Sequence, residues 1–258
     1  QINVPRDYWT QVIDIELPPI VRFERQGGGK EAIENAAKLL SKAKFPVILS
    51  GAGVVLGGAI DECKKLAEKL DAPVCNGYQH NDSFPGSHPL AVGPLGYNGS
   101  KAAMELISKA DVVLALGTRL NPFSTLPGYG IDYWPKKATI IQVDMNPDRI
   151  GLTKKVSVGI CGDAKQVAQQ ILDKLSSDAG NTGREERKNL IHKTKSAWLQ
   201  TLSGLDHEED DPGTVWNKEA RERDKDRMSP RQAWRAIQDA LPKDAIISSD
   251  IGNNCAIG

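Results

Sequence analysis

The 258-residue chain lacks the marks of several large functional classes. Its 33 basic residues cancel its 33 acidic ones, so it carries no electrostatic footprint for nucleic acid or an anionic membrane surface. No apolar run approaches the length of a membrane span, and the opening residues do not read as a signal peptide. Its four cysteines, Cys63, Cys75, Cys161 and Cys255, form no C-x-x-C pair, which removes the usual paired-cysteine zinc sites. Cys63 and Cys75 fall at apolar positions of a helix and a strand, as expected of reduced packing residues in a cytoplasmic protein. A hydrolytic triad would need a G-x-S-x-G elbow, and there is none.

What is present is organised around residues 46–70, PVILSGAGVVLGGAIDECKKLAEKL. Val47, Ile48 and Leu49 run apolar without alternation, as a strand buried on both faces of a parallel sheet requires. Gly51 and Gly53 follow at once, where the backbone must turn tightly. Ile60, Cys63, Leu66, Ala67 and Leu70 then recur at helical spacing, opposite a face filled by Asp61, Glu62, Lys64, Lys65, Glu68 and Lys69. Strand, glycine turn and amphipathic helix make the first half of a βαβ unit, and a helix start behind such a turn can hold an anion. The dinucleotide fingerprint G-x-G-x-x-G fails at its third glycine, because Leu56 stands there and Gly57 comes one residue late. The next strand ends in Asn76 and Gly77, with no acid to hold a ribose. The turn is therefore expected to be a packing device rather than a phosphate cradle.

Residues 30–44 carry Ile33, Ala36, Ala37 and Leu40 on one face and predict a helix. Strands are expected at 47–49, 73–76, 112–116, 139–143 and 156–160, with a sixth candidate at 90–92. Helices over 60–70, 101–110 and 164–175 alternate with them. That alternation specifies an α/β fold, a Rossmann-like parallel sheet with helices on both faces. Pro18 and Pro19 and the absence of any sustained period make residues 8–25 an extended linker, preceded by the end of a strand at 2–4. The composition changes at 178–228, where acidic DHEEDD gives way to RERDKDR after a helical stretch near 190–202. A mobile, poorly packed, partly helical connector is expected there. Ser229 caps a helix over 229–241 with Pro230 in its first turn, and 245–248 reads as a strand that opens a new domain. QINVPRD begins within a strand pattern and AIISSDIGNNCAIG stops where a helix should begin, so an internal piece of a longer enzyme is expected. Its divisions are 1–25, the end of one domain and a linker; 26–177, the Rossmann-like domain; 178–228, a charged linker; and 229–258, the start of another domain.

Polar residues gather at the carboxyl ends of the predicted strands, where open α/β sheets bind ligands. Gln79, His80, Asn81, Asp82 and His88 sit in a long irregular stretch, 79–100. His80, Asp82 and His88 match no familiar metal-ligand spacing, so no metal site is assigned, and a packed polar lip is the plain alternative to a binding group. Gly117, Thr118, Arg119 and Asn121 follow the central strand. Arg119 either forks an anion or ties its loop down through an acid such as Asp144, and the tie is the reading preferred. Asp144 is read as a turn cap rather than a ribose ligand. Tyr129, Tyr133 and Trp134 are expected to pack an inter-domain face. At the far end Asp250, Ile251, Gly252, Asn253 and Asn254 repeat the strand-glycine design, with two side-chain amides that can donate to anionic oxygens.

GTRLNPF, IQVDMNPDRIG, FPGSHPLAVGPLGYNG and SSDIGNN together resemble the middle domain and flanks of the thiamine-diphosphate enzymes related to acetolactate synthase, over essentially the whole chain. INVPRDYWTQVIDIELP, GYQHNDSFPGSHPL and LNPFSTLPGYGIDYWP more narrowly resemble the branch that turns sulfoacetaldehyde and phosphate into acetyl phosphate and sulfite. The resemblance implies thiamine diphosphate and Mg2+ in the full-length enzyme. It also implies self-association, since such enzymes build each active site between two chains. QINVPRD would close a pyrimidine-binding domain, and residues from 229 on would open a diphosphate-binding domain. The activating glutamate would precede Gln1 and the metal-binding G-D-G…N stretch would follow Gly258. No catalytic residue is therefore assigned within the chain, which alone is expected to be inactive. Gly252, Asn253 and Asn254 match the turn that approaches the cofactor diphosphate, and Tyr97 and Asn121 match positions along the substrate channel. Gln79, His80, Asn81 and Arg119 complete the channel candidates. Some members hold FAD in the middle domain; with the incomplete glycine pattern, no flavin is expected here.

Three other readings fit parts of the chain. A sirtuin-like deacetylase shares the GAG turn and a later G-T-x-L strand end, but needs a zinc on two C-x-x-C pairs. A non-catalytic module of the electron-transfer flavoprotein kind would bind FAD or ADP. Within the resembling family, an acetolactate synthase-like carboligase or decarboxylase is the alternative.

Overall fold

In the computed structural model, which describes residues 3–12, 14–20, 24–206, 228, 230–242 and 244–247, six parallel strands form one sheet. They are β1 (Pro46–Ser50), β2 (Val74–Asn76), β3 (Ala91–Pro94), β4 (Val112–Leu116), β5 (Thr139–Asp144) and β6 (Val158–Cys161), in the order β3-β2-β1-β4-β5-β6. β1 and β4 are buried at every position, which is why neither alternates in sequence. They pair from Pro46 on Val112 to Ser50 on Leu116. The sixth candidate strand is present as β3, on the edge beside β2. At the other edge β6 alternates buried and exposed residues and begins at Val158 rather than Val156.

Side chains of successive residues enter two apolar layers. Ile48, Leu114, Leu116, Ile141 and Val143 face α1 (Lys30–Lys42), α3 (Ile60–Leu70) and α5 (Ala164–Lys174). Val47, Leu49, Val113, Ala115 and Ile140 face α4 (Lys101–Ile107) and Ile191 of α6 (Arg184–Asp206). α3 buries Cys63, Leu66, Ala67 and Leu70, and each leucine so buried contributes about 1.5–3 kcal/mol. α1 ends at Lys42, and the Asp111 carboxylate takes the amides of Lys44 and Phe45 at 2.7 and 2.9 Å, steering the chain into β1. Ser100 caps α4 through the Ala103 amide at 3.2 Å. Directly after β1, residues Ala52–Gly57 form a short helix, α2, where only a turn was expected.

The connector expected to pack poorly is, in its first part, firmly attached. Arg187 of α6 is 1% exposed, and its guanidinium donates to five backbone carbonyls. They belong to Asp71 (2.9 Å), Lys44, Thr182 (2.9 Å), Leu70 (2.8 Å) and Gly180 (2.6 Å). All five guanidinium hydrogens are used. Arg184 and Lys188 add ion pairs to the Asp71 carboxylate, and Trp198 stands edge-on to Tyr129 at 5.5 Å. α6 also meets α7 (Pro230–Ala240).

At the ends the expected strands do not form among the described residues. Val4 is half exposed, and its carbonyl accepts from the Trp9 indole nitrogen. Ala245–Ile247 have no paired neighbour, and Ile246 is exposed. Residues 14–20 carry no regular secondary structure and are exposed. Ser229, Ser248 and Asp250 onwards, including Gly252, Asn253 and Asn254, lie outside the described residues.

Candidate functional site

From β1 the chain moves through β2 and β3 to one side; from β4 it moves through β5 and β6 to the other. The loops after β1 and β4 therefore diverge at the carboxyl edge, the position at which doubly wound sheets take ligands. A cavity of about 610 Å3 opens there. Its wall is assembled from every part of the domain: His80 after β2, Gly51 and Gly53 after β1, Thr118, Arg119 and Asn121 after β4, Asp144 and Arg149 after β5, and Asp163 after β6.

The glycines at this edge pack backbone against backbone. A Cβ on Gly53 would stand 2.7 Å from the Gly117 Cα, and one on Gly51 would stand 2.7 Å from the Gly117 carbonyl oxygen. Gly117 itself has φ +62, the left-handed region that favours glycine. The glycine amides that would cradle a diphosphate are already occupied. Gly53 donates to Gly117 O (2.8 Å), Gly51 to Leu116 O (3.1 Å), Gly77 to Ser50 O (2.8 Å), Gly117 to Val143 O and Gly162 to Asp144 O (both 3.0 Å). The Gly53 bond ties α2 to the loop after β4, and the other four continue the parallel ladder one residue past the strand ends. These residues do not fit a flavin diphosphate held in the dinucleotide manner, and the glycine turn is a packing device.

Three arginines line the same cavity. Arg25, from the linker, is committed: it donates to Gly57 O and, at 3.2 Å, to the buried Asp163 carboxylate. Asp163 also caps α5, accepting from the Lys165 and Gln166 amides at 3.1 Å. Arg119 makes no ion pair among the described residues, so the expected tie to Asp144 is not formed. Asp144 turns its carboxylate to the Asn146 amide at 2.9 Å, the turn cap that was expected, and so has its own partner. Arg149, which sequence reasoning passed over, likewise has no ion pair among the described residues. Its only sequence signal was the DRIG that follows NP in the loop after β5.

The loop after β2 is organised by Asn76, which is buried at the strand end. Its Nδ2 donates to Ser83 Oγ at 2.9 Å and to His80 O at 3.3 Å, and Ser83 Oγ donates to His80 O at 2.8 Å. This fixes His80 at the cavity rim. His88 points elsewhere: its Nδ1 accepts from the Leu90 amide at 3.2 Å and its Nε2 meets Glu68 Oε1 of α3 at 3.3 Å. His80, Asp82 and His88 therefore do not converge, and no metal-binding group of three such residues occurs among the described residues. Of the channel candidates, His80, Arg119 and Asn121 line the cavity, whereas Gln79, Asn81 and Tyr97 do not. Tyr97 instead joins Tyr78 and Phe123 in an aromatic cluster with ring centroids 5.2–5.9 Å apart.

Tyr133, expected on an inter-domain face, is 1% exposed in the layer beneath α4, and burial raises its phenol pKa. Trp134 is partly buried against that layer, with the Lys154 ammonium 5.0 Å from its ring. Tyr129 donates its hydroxyl to Gly99 O at 2.9 Å. Cys63 and Cys75 are buried, and burial pushes the Cys63 thiol up to about 12 and the Cys75 thiol up as well. They are packing residues, as the helix and strand patterns required. No described helix is long and apolar enough to cross a membrane.

Comparison with known proteins agrees with this architecture. Residues 33–171 match the thiamine pyrophosphate enzyme central domain. The chain is 78% identical to a probable sulfoacetaldehyde acetyltransferase of Rhizobium meliloti (strain 1021), all of this chain aligning with 44% of that relative. It is 77% identical to the sulfoacetaldehyde acetyltransferase of Roseovarius nubinhibens, again over all of this chain and 43% of the relative. A probable acetolactate synthase large subunit of Methanocaldococcus jannaschii is 35% identical over 79% of this chain and 33% of that protein. The chain thus spans less than half the length of the curated relatives it matches. In fold it resembles the crystal structure of benzoylformate decarboxylase from Polynucleobacter necessarius, with a TM-score of 0.53 at 23% identity over 69% of this chain and 33% of that one. The matched segment runs from the first buried turn of α1 to the last of α5 and contains the whole sheet, so the chain belongs to the thiamine pyrophosphate enzymes and carries their central domain.

Proposed function

We propose that the full-length protein is a thiamine-diphosphate- and Mg2+-dependent acetyltransferase that converts sulfoacetaldehyde and phosphate into acetyl phosphate and sulfite. The observation that carries this reading is identity of 78% and 77% along the entire chain with two relatives of that name, against 35% for an acetolactate synthase. In the reaction the carbon–sulfur bond breaks, sulfite leaves with its electron pair, and a phosphate oxygen ends on the acetyl carbon. The chemistry that thiamine diphosphate supplies when bound is a carbanion for attack on the aldehyde carbonyl. Residues 26–177 form the central domain in this reading, between the end of a pyrimidine-binding domain at 1–25 and, beyond the 178–228 linker, the start of a diphosphate-binding domain at 229–258. Gly252, Asn253 and Asn254 approach the cofactor diphosphate. His80, Arg119 and Asn121 line the substrate approach, with Gln79, Asn81 and Tyr97 beside it. No residue of this chain performs the bond-breaking step, and the enzyme works as a cytoplasmic homo-oligomer in sulfonate metabolism.

The test is an assay of full-length protein with sulfoacetaldehyde, phosphate, Mg2+ and thiamine diphosphate. Sulfite and acetyl phosphate should appear in equal amounts, and omission of phosphate or of thiamine diphosphate should abolish acetyl phosphate. Acetolactate formed from pyruvate, with no sulfite released from sulfoacetaldehyde, would replace this reading by the carboligase.

A further inference from the structure

The carboxyl edge of the sheet holds two arginines that make no ion pair among the described residues, and a device that joins the loops carrying them. Gln142 of β5 is 1% exposed, and its Nε2 donates both to Thr118 O (3.2 Å) and to Arg149 O (3.1 Å). Its Oε1 accepts from the Gly151 amide at 2.9 Å. One buried side chain therefore joins the loop that carries Arg119 to the turn that carries Arg149. Leu120, next to Arg119, has φ +53, a conformation that costs a leucine of order 1–3 kcal/mol. Three contacts hold it there: its side chain is buried, its amide donates to Thr118 Oγ1 (3.3 Å), and its carbonyl accepts from Thr153 Oγ1 (2.7 Å). A strained loop and a saturated buried amide thus fix the backbones that carry two exposed arginines on one cavity wall.

The glycine amides and the third arginine of the cavity are already held by the protein. The glycine amides extend the sheet ladder or, at Gly53, bond the Gly117 carbonyl, and Arg25 is held by Asp163 and Gly57 O. Of the two carboxylates on the wall, Asp163 is paired with Arg25 and Asp144 faces the Asn146 amide. The guanidiniums that remain without an ion pair among the described residues are two planar forks, which suit the oxygens of a tetrahedral oxyanion. We propose that Arg119 and Arg149 form a side-chain site for a phosphate or sulfonate group, and that this groove is not a flavin or dinucleotide site. Gln142 is the positioning residue of that pair. The proposal rests on the groove and not on the reaction proposed above.

The experiment uses full-length protein at constant ionic strength. Inorganic phosphate, ethanesulfonate, ADP and FAD are titrated calorimetrically into the parent protein and into the Arg119→Met, Arg149→Met and doubly substituted variants. Both positions are exposed, and melting curves check that each variant is folded. Phosphate, ethanesulfonate or both should bind the parent. Each single substitution should weaken that binding by about tenfold to a hundredfold, the loss expected for one charge-assisted contact, and the double substitution should abolish it. Whichever anion shows the arginine-dependent component is the group the site takes. Three results overturn the proposal: no binding of either small anion, binding that is the same in the double variant, or FAD or ADP binding more than about tenfold tighter than phosphate through these arginines. Each is distinct from failure of the reaction, which sulfite release reads on its own.

Discussion

Replacing Arg187 by Met puts a number on what attaches α6 to the sheet. The substitution keeps most of the aliphatic stem and removes five donors, leaving the carbonyls of Lys44, Leu70, Asp71, Thr182 and Gly180 without their partner. A hydrogen bond to a charged group contributes about 1.5–3 kcal/mol net, but five of them cannot simply be summed. The total would rival the entire stability of a domain, about 5–15 kcal/mol. The opposing term is the desolvation of the guanidinium, whose pKa burial lowers, with the Asp71 charge acting in the other direction. Breaking a buried, hydrogen-bonded charge costs about 3–5 kcal/mol in practice, and that is the loss expected here. For a domain of this size it corresponds to a fall in Tm of roughly 6–20 °C. Thermal melting of the full-length protein measures the loss, and native-state hydrogen exchange should place it, with the amides of α6 losing protection before those of β1 and β4. Arg187→Lys should fall between the two, because an ammonium has three donors and no fork. A drop of less than about 3 °C with α6 still protected would refute the account of the attachment.

Gly53→Ala should destabilise the protein by about 1–3 kcal/mol, because its Cβ meets Gly117 backbone at 2.7 Å and overpacking exceeds the smaller gain in helix propensity; a melt at or above the parent temperature would contradict the contact. Brief alkylation of the folded protein at pH 8, read by peptide mass spectrometry, should modify the exposed Cys161 well before Cys63 or Cys75. A Cys63 thiol at about 12 is thiolate in only on the order of one molecule in 10⁴ at that pH. Equal rates at Cys63 and Cys161 would mean that the α3–sheet packing opens freely.

The parts of the fold legible in the sequence are those where one interaction dominates a local run. β1 and β4 are buried on both faces, so an unbroken apolar run is the whole signal. α3 divides into an apolar and a charged face, with Glu62 alone of the charged set buried, and its bounds came out at Ile60–Leu70 as expected. α6 was misjudged for the opposite reason. Its strongest attachment is an arginine, and a charged residue in a charge-rich stretch reads as solvent-facing until its five carbonyl partners, drawn from three separate segments, are brought to it by the fold. Tyr133 was misplaced similarly, because a loop aromatic beside Trp134 gives no local sign that it inserts beneath α4.

The site divides along the same line. That polar residues would collect at the carboxyl ends of strands follows from topology, and His80, Arg119 and Asn121 do meet there. Which of them remain available to a ligand is a question of hydrogen-bond supply, and no periodicity encodes it. Gly51 and Gly53 look like a phosphate cradle until Leu116 and Gly117 are found to accept from their amides. Arg119 looked tied to Asp144, but that carboxylate accepts from the amide two residues along its own turn and makes no ion pair among the described residues. Arg149 drew no notice, yet a glutamine from the strand before it holds it to the Arg119 loop. A donor is free for function only when the fold has left it without a partner, and at this edge the fold has satisfied the glycine amides and Arg25 and left Arg119 and Arg149 facing the cavity.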